Sequence, residues 1–519
     1  MKKLLHIVLL LFMVSAVYSQ SNRFREEVFS AVKRTENIVY GVNATALGLF
    51  TPYNEAIPQP LVLDLYEPEG DIEEARPLII FFHSGNFIPF PDNTSVVGTL
   101  RDSSVVAFCM KMARCGYVVA SADYRLGWNP EAATDDERRF GIINAAYRGM
   151  QDARTCIRFF RESAQMGGNP YRICEDRIAL FGDDTGGYLS VHAAVLDNYS
   201  KILDDAELWV QIPSGNYIPM IIPEINGDVE GKLFGINPPD FPPFPAGDTL
   251  CYPNFTRANS SFKVAVNLAG AVAYKPWIEP GQPPIISIQT PYDNTTPYGC
   301  GDVLLGDVLY VINVCGADSI AAAEEAVGNT EIFNNMDDYF VNDFQRSVEV
   351  VALARNNGSN CLFPVIGDTI TDINPWDFWD PVTNVNHPRG IFLNPHMSKE
   401  KAEAYMDSIL AYVLPRIYVA MGIDDPNMDC ISSSTVLPQD AIDIALSPNP
   451  SSGEIEINTP ASNLMREVKL FSSTGSLAFH RTGIDNNNFK INVSKMVPGM
   501  YIVQISFDEG ITARQIIVQ

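Results

Sequence analysis

Closely spaced cysteines, basic residues and long apolar runs are scarce in this 519-residue sequence. It contains no C-x-x-C pair, and the cysteine spacing gives no zinc site. Lysine and arginine together number 36 against 62 aspartates and glutamates, a formal net charge of −26. That charge argues against nucleic acid and anionic lipid as partners, because their phosphates would be repelled. Beyond residue 19 no apolar run is long enough to span a bilayer, and we expect neither metal nor cofactor.

Residues 1–19 have the composition of a secretory signal peptide. Lys2 and Lys3 form a basic start, residues 4–17 are apolar, and small residues precede a cleavage position before Gln20. The sequence therefore predicts a protein that passes through the periplasm and is secreted or held at the cell surface.

Nine cysteines follow the predicted signal, in a compartment that permits disulfides. The odd number leaves at least one thiol unpaired. Cys300 with Cys315, and Cys156 with Cys174, are near enough in sequence to form bridges. A buried, reduced thiol is an equally good interpretation for any one of them.

Length and composition predict more than one folded domain. The chain is too long for a single ordinary core, and with 46% hydrophobic and 19% charged residues it is globular. We predict a first domain over residues 20–423, with a proline- and glycine-rich insertion at about 212–256. A polar linker at 424–442 and a small domain at 443–519 follow.

Strand and helix patterns alternate along the predicted first domain. Runs typical of sheet strands are 61–66, 77–82, 117–122, 178–181, 262–268, 285–289 and 362–366. Helical patterns cover 103–115, 141–163, 320–326, 340–355 and 399–420. These spacings suit right-handed crossovers, so the sequence predicts an α/β fold with a mostly parallel sheet and helices on both faces.

Residues 177–190, R-I-A-L-F-G-D-D-T-G-G-Y-L-S, have the form of a strand, a tight turn and a helix beginning near Tyr188. The glycines at 182, 186 and 187 permit the sharp turn of a nucleophile elbow, G-x-S-x-G, whose central residue is strained. The central residue here is Asp184. The sequence thus predicts an elbow that carries a carboxylate in place of serine.

Over residues 61–421 the chain resembles the secreted carboxylesterase-like branch of the α/β-hydrolase family. The resemblance rests on five places in order: H-S-G-N-F at 83–87, similar to the H-G-G-G-F oxyanion segment; Y-R-L-G at 124–127; D-A-R at 152–154; the elbow; and Tyr292-Asp293 before Pro297-Tyr298. It implies an α/β-hydrolase fold and an ester substrate, either a small molecule or a group linked to a polysaccharide.

The resemblance also implies a catalytic set. Asp293 stands where the family has its acid, and the amides of Gly85, Asn86 and Thr185 stand where it forms the oxyanion hole. Asp184 replaces the serine nucleophile. Because a carboxylate that attacks an ester gives a mixed anhydride that reverts, ester hydrolysis at this elbow is not expected to proceed by the family's mechanism.

The histidine of this catalytic set is expected in the loop 367–372, which contains none. His387 and His396, farther along the chain, are the candidates for the base, with an ordinary loop role as the alternative for each. His192 is expected to be a packed or surface residue of the elbow helix, and His83 to shape the oxyanion segment. The segment 374–380, N-P-W-D-F-W-D, either covers the cleft or stacks on a sugar ring.

Three hypotheses for function remain open at this point. The first is ester hydrolysis by another nucleophile. The second is hydrolysis at saturated carbon through Asp184, since G-D-D-T-G fits the G-x-D-x-G elbow of haloalkane dehalogenases and epoxide hydrolases. The third is a ligand-binding protein of the cell surface without turnover.

The end of the chain, with short strand patterns at 455–457, 468–471, 489–493, 500–507 and 513–518, predicts a small all-β sandwich. It resembles the C-terminal sorting domain of the Bacteroidetes type IX secretion system. The matching motifs are L-S-P-N-P at 446–450, L-F with T-G at 470–475, and P-G-M-Y-I-V at 498–503. The resemblance implies export across the outer membrane and the type IX machinery as a partner.

Overall fold

The computed structural model describes residues 22–47, 55–166, 168–212, 214–239, 244–305, 308–336, 359–367, 372–423, 442–472, 477–507 and 511–519. Contacts divide the chain into two compact units: residues up to 430 without Ser163–Arg172, and Ser163–Arg172 with the residues from 431 onward. Among the described helices, none has the length and apolar character that crossing a membrane requires. The predicted signal peptide, the predicted helix at 340–355 and residues 424–441 of the predicted linker lie outside the described residues.

The strands of the first unit, in chain order, are β1 (Val32–Ala44), β2 (Pro58–Pro68), β3 (Arg76–Phe82), β4 (Val118–Ala122), β5 (Ile173–Asp183), β6 (Trp209–Gln211), β7 (Tyr217–Pro219), β8 (Gly235–Ile236), β9 (Thr249–Cys251), β10 (Val264–Leu268), β11 (Ile285–Gln289), β12 (Cys300–Leu305), β13 (Val308–Cys315) and β14 (Leu362–Pro364). Eight of them form one sheet in the order β1-β2-β4-β3-β5-β10-β11-β14. β2 pairs antiparallel with β1 and β4, and the pairings from β4 to β14 are parallel. The predicted mostly parallel sheet is confirmed.

The helices of the first unit are α1 (Ser103–Arg114), α2 (Asp135–Met166), α3 (Thr185–Val195), α4 (Tyr199–Asp204), α5 (Pro223–Asn226), α6 (Ala317–Val327), α7 (His387–Leu393) and α8 (Lys399–Ala420). Helices α1 and α8 share a core with one face of the sheet, through Phe108 and Met112 of α1 and Met406 and Val413 of α8. The sheet can be buried because its central strands are mostly apolar. All seven residues of β3 are buried.

The predicted insertion contains two small antiparallel hairpins, β6–β7 and β8–β9. A third hairpin, β12–β13, was not predicted. It is closed at its base by the disulfide Cys300–Cys315, which confirms one of the two predicted bridges. The second predicted bridge, Cys156–Cys174, is wrong. Cys156, on α2, is a buried free thiol, so Cys174 forms its disulfide with another cysteine.

The second unit contains strands β15 (Ala445–Ser447), β16 (Glu454–Asn458), β17 (Met465–Ser472), β18 (Leu477–Asn486), β19 (Asn488–Asn492), β20 (Gly499–Ser506) and β21 (Ile511–Val518). They form two antiparallel sheets, β15-β16-β19 and β18-β17-β20-β21. Alternate residues of each sheet, such as Ile455, Ile457, Val503 and Ile505, enclose a separate hydrophobic core. Strands β15 and β18 were not predicted.

Candidate functional site

The carboxyl ends of β3, β5 and β11 lie at one edge of the parallel sheet. The H-S-G-N-F segment follows β3, Asp184 follows β5, and the loop with Asp293 follows β11. Loops at this edge of an open parallel sheet commonly form a ligand site. The fold therefore brings together three of the segments that the sequence had singled out.

Asp184 has the backbone conformation of a nucleophile elbow. It stands between β5 and α3 with φ 49° and ψ −107°, a conformation that non-glycine residues rarely adopt. The neighbouring glycines leave no room for a side chain: a Cβ on Gly182 would lie 1.8 Å from the Gly186 carbonyl oxygen, and one on Gly186 would lie 2.1 Å from that of Phe82. The turn therefore has the strained conformation of an elbow with aspartate at the position where the esterase pattern has serine.

The Asp184 carboxylate already has a partner. The Ser84 hydroxyl, two residues after the end of β3, donates to Asp184 Oδ2 at 2.6 Å, and Ser84 itself is buried. Burial raises the pKa of the Asp184 carboxyl, although hydrogen bonds from the Ser84 hydroxyl and the Thr185 amide oppose the rise. The elbow carboxylate is thus held by the Ser84 hydroxyl and the Thr185 amide, and no histidine in the described part of the chain forms a hydrogen bond with it.

Asp184 stands in the lining of a cleft of about 420 Å³. Carboxyl and amide side chains dominate the polar part of that lining; they are Asp184, Asp293, Asp377, Asn86, Asn294, Asn374 and Asn394. The exposed Arg389 and the indole of Trp379 also line the cleft. A cavity of this size suits a small organic ligand.

Asp293, the predicted catalytic acid, also lines the cleft. Its Oδ1 accepts the backbone amides of Thr295 and Thr296 at 2.8 and 3.1 Å, and its Oδ2 accepts from Gln289 Nε2 at 3.2 Å. Burial raises the pKa of Asp293 to about 7, against the effect of these donors. The carboxyl is positioned by its own loop and holds no imidazole ring.

Further carboxyls lie behind the elbow. Asp183 is 1% exposed and accepts a hydrogen bond from Trp376 Nε1 at 3.1 Å. Burial and the neighbouring carboxyls of Asp377 and Asp184 raise the pKa of Asp183 well above its ordinary value, and burial likewise raises the pKa of Asp377. The site is therefore rich in carboxyl groups whose pKa is raised by burial.

The five described histidines of the six in the chain are absent from the lining of this cleft. The two predicted base candidates are placed elsewhere: His387 begins α7, with its Nδ1 accepting from Trp379 Nε1 at 3.1 Å, and His396 is exposed. His83 is fully buried, with its Nε2 3.2 Å from Asp123 Oδ1. His480 belongs to the second unit.

His192 lies nearer to the elbow, in the lining of an apolar pocket of about 80 Å³ that Asp184 and Tyr188 also line. Its Nδ1 lies 2.7 Å from the Tyr188 carbonyl, and its Nε2 accepts the Ala273 amide at 3.1 Å. Burial lowers the pKa of His192 to about 4. With both ring nitrogens engaged by the backbone, His192 packs as expected and is not available as a base.

Two of the three predicted oxyanion donors keep a free amide. Gly85 and Asn86 have positive φ angles of 131° and 58°, and within the described part of the chain their amides donate to no other group. The third, Thr185, donates to the Asp184 carboxyl. The cleft thus retains backbone donors, but the elbow beside them carries aspartate in place of serine, and none of the described histidines is in the lining.

Ser84 and Asp377 were missed as site residues. Ser84 could have been found from the sequence, since it stands where the H-G-G-G-F segment has glycine. The elbow, with Asp184 in place of serine, also differs from the family pattern. Asp377 lies in the aromatic segment 374–380, which drew attention only for its rings. Trp376 belongs to the core, whereas Trp379 is a buried residue in the lining of the cleft. Among the described residues no group of three His, Cys, Asp or Glu could hold a metal.

Residues 63–216 match the family model BD-FAE, and residues 445–519 match the model described as secretion system C-terminal sorting domain. Together with the sheet and the elbow, the first match places the first unit in the class of esterase-like α/β-hydrolases. The chain is accordingly a secreted protein with an esterase-like α/β-hydrolase domain and a type IX sorting domain, directed to the cell surface or beyond.

Solved structures similar to this chain include Thermogutta terrifontis esterase 2. Its tabun-phosphoramylated form is 17% identical at a TM-score of 0.34, and its propionate-bound form 15% identical at 0.34; each match covers 72% of this chain and 94% of that chain. A truncated carbohydrate esterase from gut microbiota is 16% identical at a TM-score of 0.32, over 58% of this chain and 86% of that one. A search of curated proteins gave no match.

Proposed function

We propose that the first unit is a ligand-binding protein built on an esterase scaffold, without turnover of esters. The observation that carries the proposal is the 2.6 Å hydrogen bond from Ser84 to Asp184. It occupies the carboxylate at the position where an esterase has its nucleophile. The bound partner is a hydroxyl group, which cannot accept and return a proton as imidazole does.

The two hydrolytic hypotheses lack a base. Serine-type acyl transfer needs a histidine beside the nucleophile, and an alkyl-enzyme ester on Asp184 needs one to activate water. His192 is neutral and bonded through both nitrogens, and His387 and His396 do not line the cleft. His6, the one histidine outside the described residues, belongs to the predicted signal peptide.

The chemistry of the lining indicates the class of ligand. Amide side chains both donate and accept hydrogen bonds, and carboxyls with a pKa near 7 do the same when neutral. A sugar hydroxyl also donates and accepts, so this lining suits a neutral, hydroxyl-rich molecule such as a mono- or disaccharide. An ester-substituted sugar, bound intact, falls in the same class.

Ester turnover is tested with purified wild-type protein, Asp184→Ser and Asp184→Ala on 4-nitrophenyl acetate. We expect all three to leave the buffer rate unchanged, because Asp184→Ser restores the nucleophile but not the base. A rate at least tenfold above buffer in the wild type or in Asp184→Ser would show that a usable base exists and would overturn the proposal.

Binding is tested by titration calorimetry with neutral mono- and disaccharides. We expect saturable binding that Asp293→Asn and Asn374→Ala each weaken about fivefold, the effect of one hydrogen bond. Asn129→Ala, at an exposed position outside the cleft lining, is the matched control and should bind as the wild type does. Equal weakening by the control, or no binding at millimolar sugar, contradicts the ligand class.

A further inference from the structure

A second and larger cavity, of about 800 Å³, lies in the first unit and shares no lining residue with the cleft or the apolar pocket. Helix α2 forms part of its wall, together with the segment around Trp128. The Trp128 indole donates to the carbonyl of Asn86, a cleft residue, at 2.7 Å. A hydrogen bond therefore links the wall of this cavity to the cleft, although the two have different linings.

Arg148, near the middle of α2, is the cation in the lining of this cavity. One of its terminal nitrogens, Nη2, donates to the Gly127 carbonyl at 2.6 Å. Its Nε is buried and has no hydrogen-bond partner among the described residues. No carboxylate of the described residues forms an ion pair with it.

The nearest opposite charge on the same helix is already taken. The Asp152 carboxylate accepts the side-chain Nε of Arg125 at 2.9 Å and the Arg125 backbone amide at 2.8 Å, and both side chains are fully buried. Burial and the positive charge of Arg125 lower the pKa of Arg148 to about 9. Asp152 partly offsets this effect, but Arg148 makes no ion pair with a described carboxylate and keeps its guanidinium in the cavity wall.

The remaining wall is largely apolar or internally satisfied. Phe140, Phe244 and Leu250 contribute apolar surface, and the amides of Asn144 and Asn226 are bonded to each other at 2.7 Å. Three carboxylates stand at the exposed edge of the lining. Asp136 forms an ion pair with Arg139 at 2.9 Å, and Glu137 accepts a hydrogen bond from the Thr134 amide. Glu131 is exposed to solvent.

We propose that this cavity binds an organic monocarboxylate with an apolar body, the carboxylate on Arg148 and the body against the aromatic and aliphatic wall. The planar guanidinium suits a carboxylate, and the acids at the exposed edge disfavour a second negative charge on the ligand. The inference is independent of the cleft and of the function proposed for it.

The test uses octanoate as the probe and 1-octanol as its uncharged analogue, titrated into the full protein by calorimetry with tryptophan fluorescence in parallel. We expect saturable octanoate binding, with 1-octanol at least tenfold weaker, because a charge-assisted hydrogen bond would be lost. Arg148→Gln should weaken octanoate at least tenfold. Absence of octanoate binding at millimolar concentration, or equal binding of the two probes, overturns the proposal.

Arg389→Gln is the matched control, since Arg389 is the arginine in the lining of the cleft. If octanoate bound there, Arg389→Gln would weaken it and Arg148→Gln would not, which would overturn the assignment to the second cavity. Phenylglyoxal labelling of wild-type protein needs no folded variant. We expect octanoate, but not 1-octanol, to slow modification of Arg148 at least fivefold, as read by peptide mass spectrometry. Equal rates with and without octanoate would contradict the proposal.

Discussion

Two neighbouring departures from the esterase pattern explain each other in the folded chain. Asp184 replaces the elbow serine, and Ser84 stands in place of a glycine in the oxyanion segment, 100 residues earlier. A carboxylate at this half-buried position needs a donor, because an unsatisfied buried acceptor is destabilising. The Ser84 hydroxyl supplies one from the adjacent strand end.

Ser84→Ala tests this pairing. Loss of the donor should raise the pKa of Asp184 further above its ordinary value and destabilise the protein by about 1 to 3 kcal/mol at pH 7, the range for hydrogen bonds to charged groups. Carbon-13 NMR titration of labelled aspartate and urea unfolding measure the two effects.

Thr295→Val serves as the control for Ser84→Ala. Thr295 lines the same cleft, but its contact with a carboxyl is made by its backbone amide, which the substitution keeps. An Asp184 pKa in Ser84→Ala that equals the wild-type value would mean that the hydrogen bond does not stabilise the carboxylate.

At the scale of elements, the strand β5, the elbow and helix α3 pack too closely for side chains at the turn. A Cβ atom added to Gly187 would lie 2.7 Å from Asn267 Oδ1. Cβ atoms added to Gly182 and Gly186 would lie closer still to backbone oxygens. Backbone atoms cannot yield as a flexible side chain does. The glycines thus preserve the turn whether or not it carries out chemistry.

Gly186→Ala should prevent folding or lower the melting temperature by 10 °C or more, because a methyl group would meet the Phe82 carbonyl oxygen at 2.1 Å. Such an overlap exceeds the ordinary destabilisation of about 1–3 kcal/mol for an overpacked core. Gly299→Ala, with open space around it and no positive φ, is the matched control and should melt within about 2 °C of wild type. Similar melting of the two variants would rule out the close approach.

At the scale of the whole molecule, the first unit holds several carboxyls whose pKa is raised by burial. Asp293 has a pKa of about 7 and so changes charge near neutral pH, as do Asp377 and Glu324, whose pKa is also about 7. In an unfolded chain aspartate titrates near 3.9. The folded state therefore binds a proton that the unfolded state has already lost between these pH values, and stability falls as pH rises through about 7.

We accordingly expect the melting temperature of the first unit to fall between about pH 5 and pH 7.5 and to level off above that range. Asp293→Asn, which cannot ionise, should flatten that part of the curve while raising the melting temperature at pH 8.5. Differential scanning calorimetry at constant ionic strength measures both curves, with Asp380→Asn, an exposed aspartate, as control. A wild-type curve that rises with pH over this range would mean that Asp293 is ionised throughout.

Much of the scaffold could be predicted from local pattern. Strands β3, β4, β10 and β11 are mostly apolar runs, and the glycines around Asp184 specify the elbow, so the sequence alone determined the parallel sheet and the strained turn. Strand β1, V-K-R-T-E-N-I-V-Y-G-V-N-A, was missed because half of it faces solvent and its sequence carries no clear alternation. Neither strand of the β12–β13 hairpin was predicted, although the Cys300–Cys315 disulfide at its base was.

What only the tertiary structure decided is which side chains meet. Ser84 reaches Asp184 across 100 residues, Trp376 reaches Asp183 across 193, and the histidines after residue 380 are placed outside the cleft. Burial, and with it the raised pKa of Asp293, is likewise a property of the packed chain. Sequence patterns report the period and local conformation of each element, whereas contacts between distant residues depend on how the sheet orders its strands.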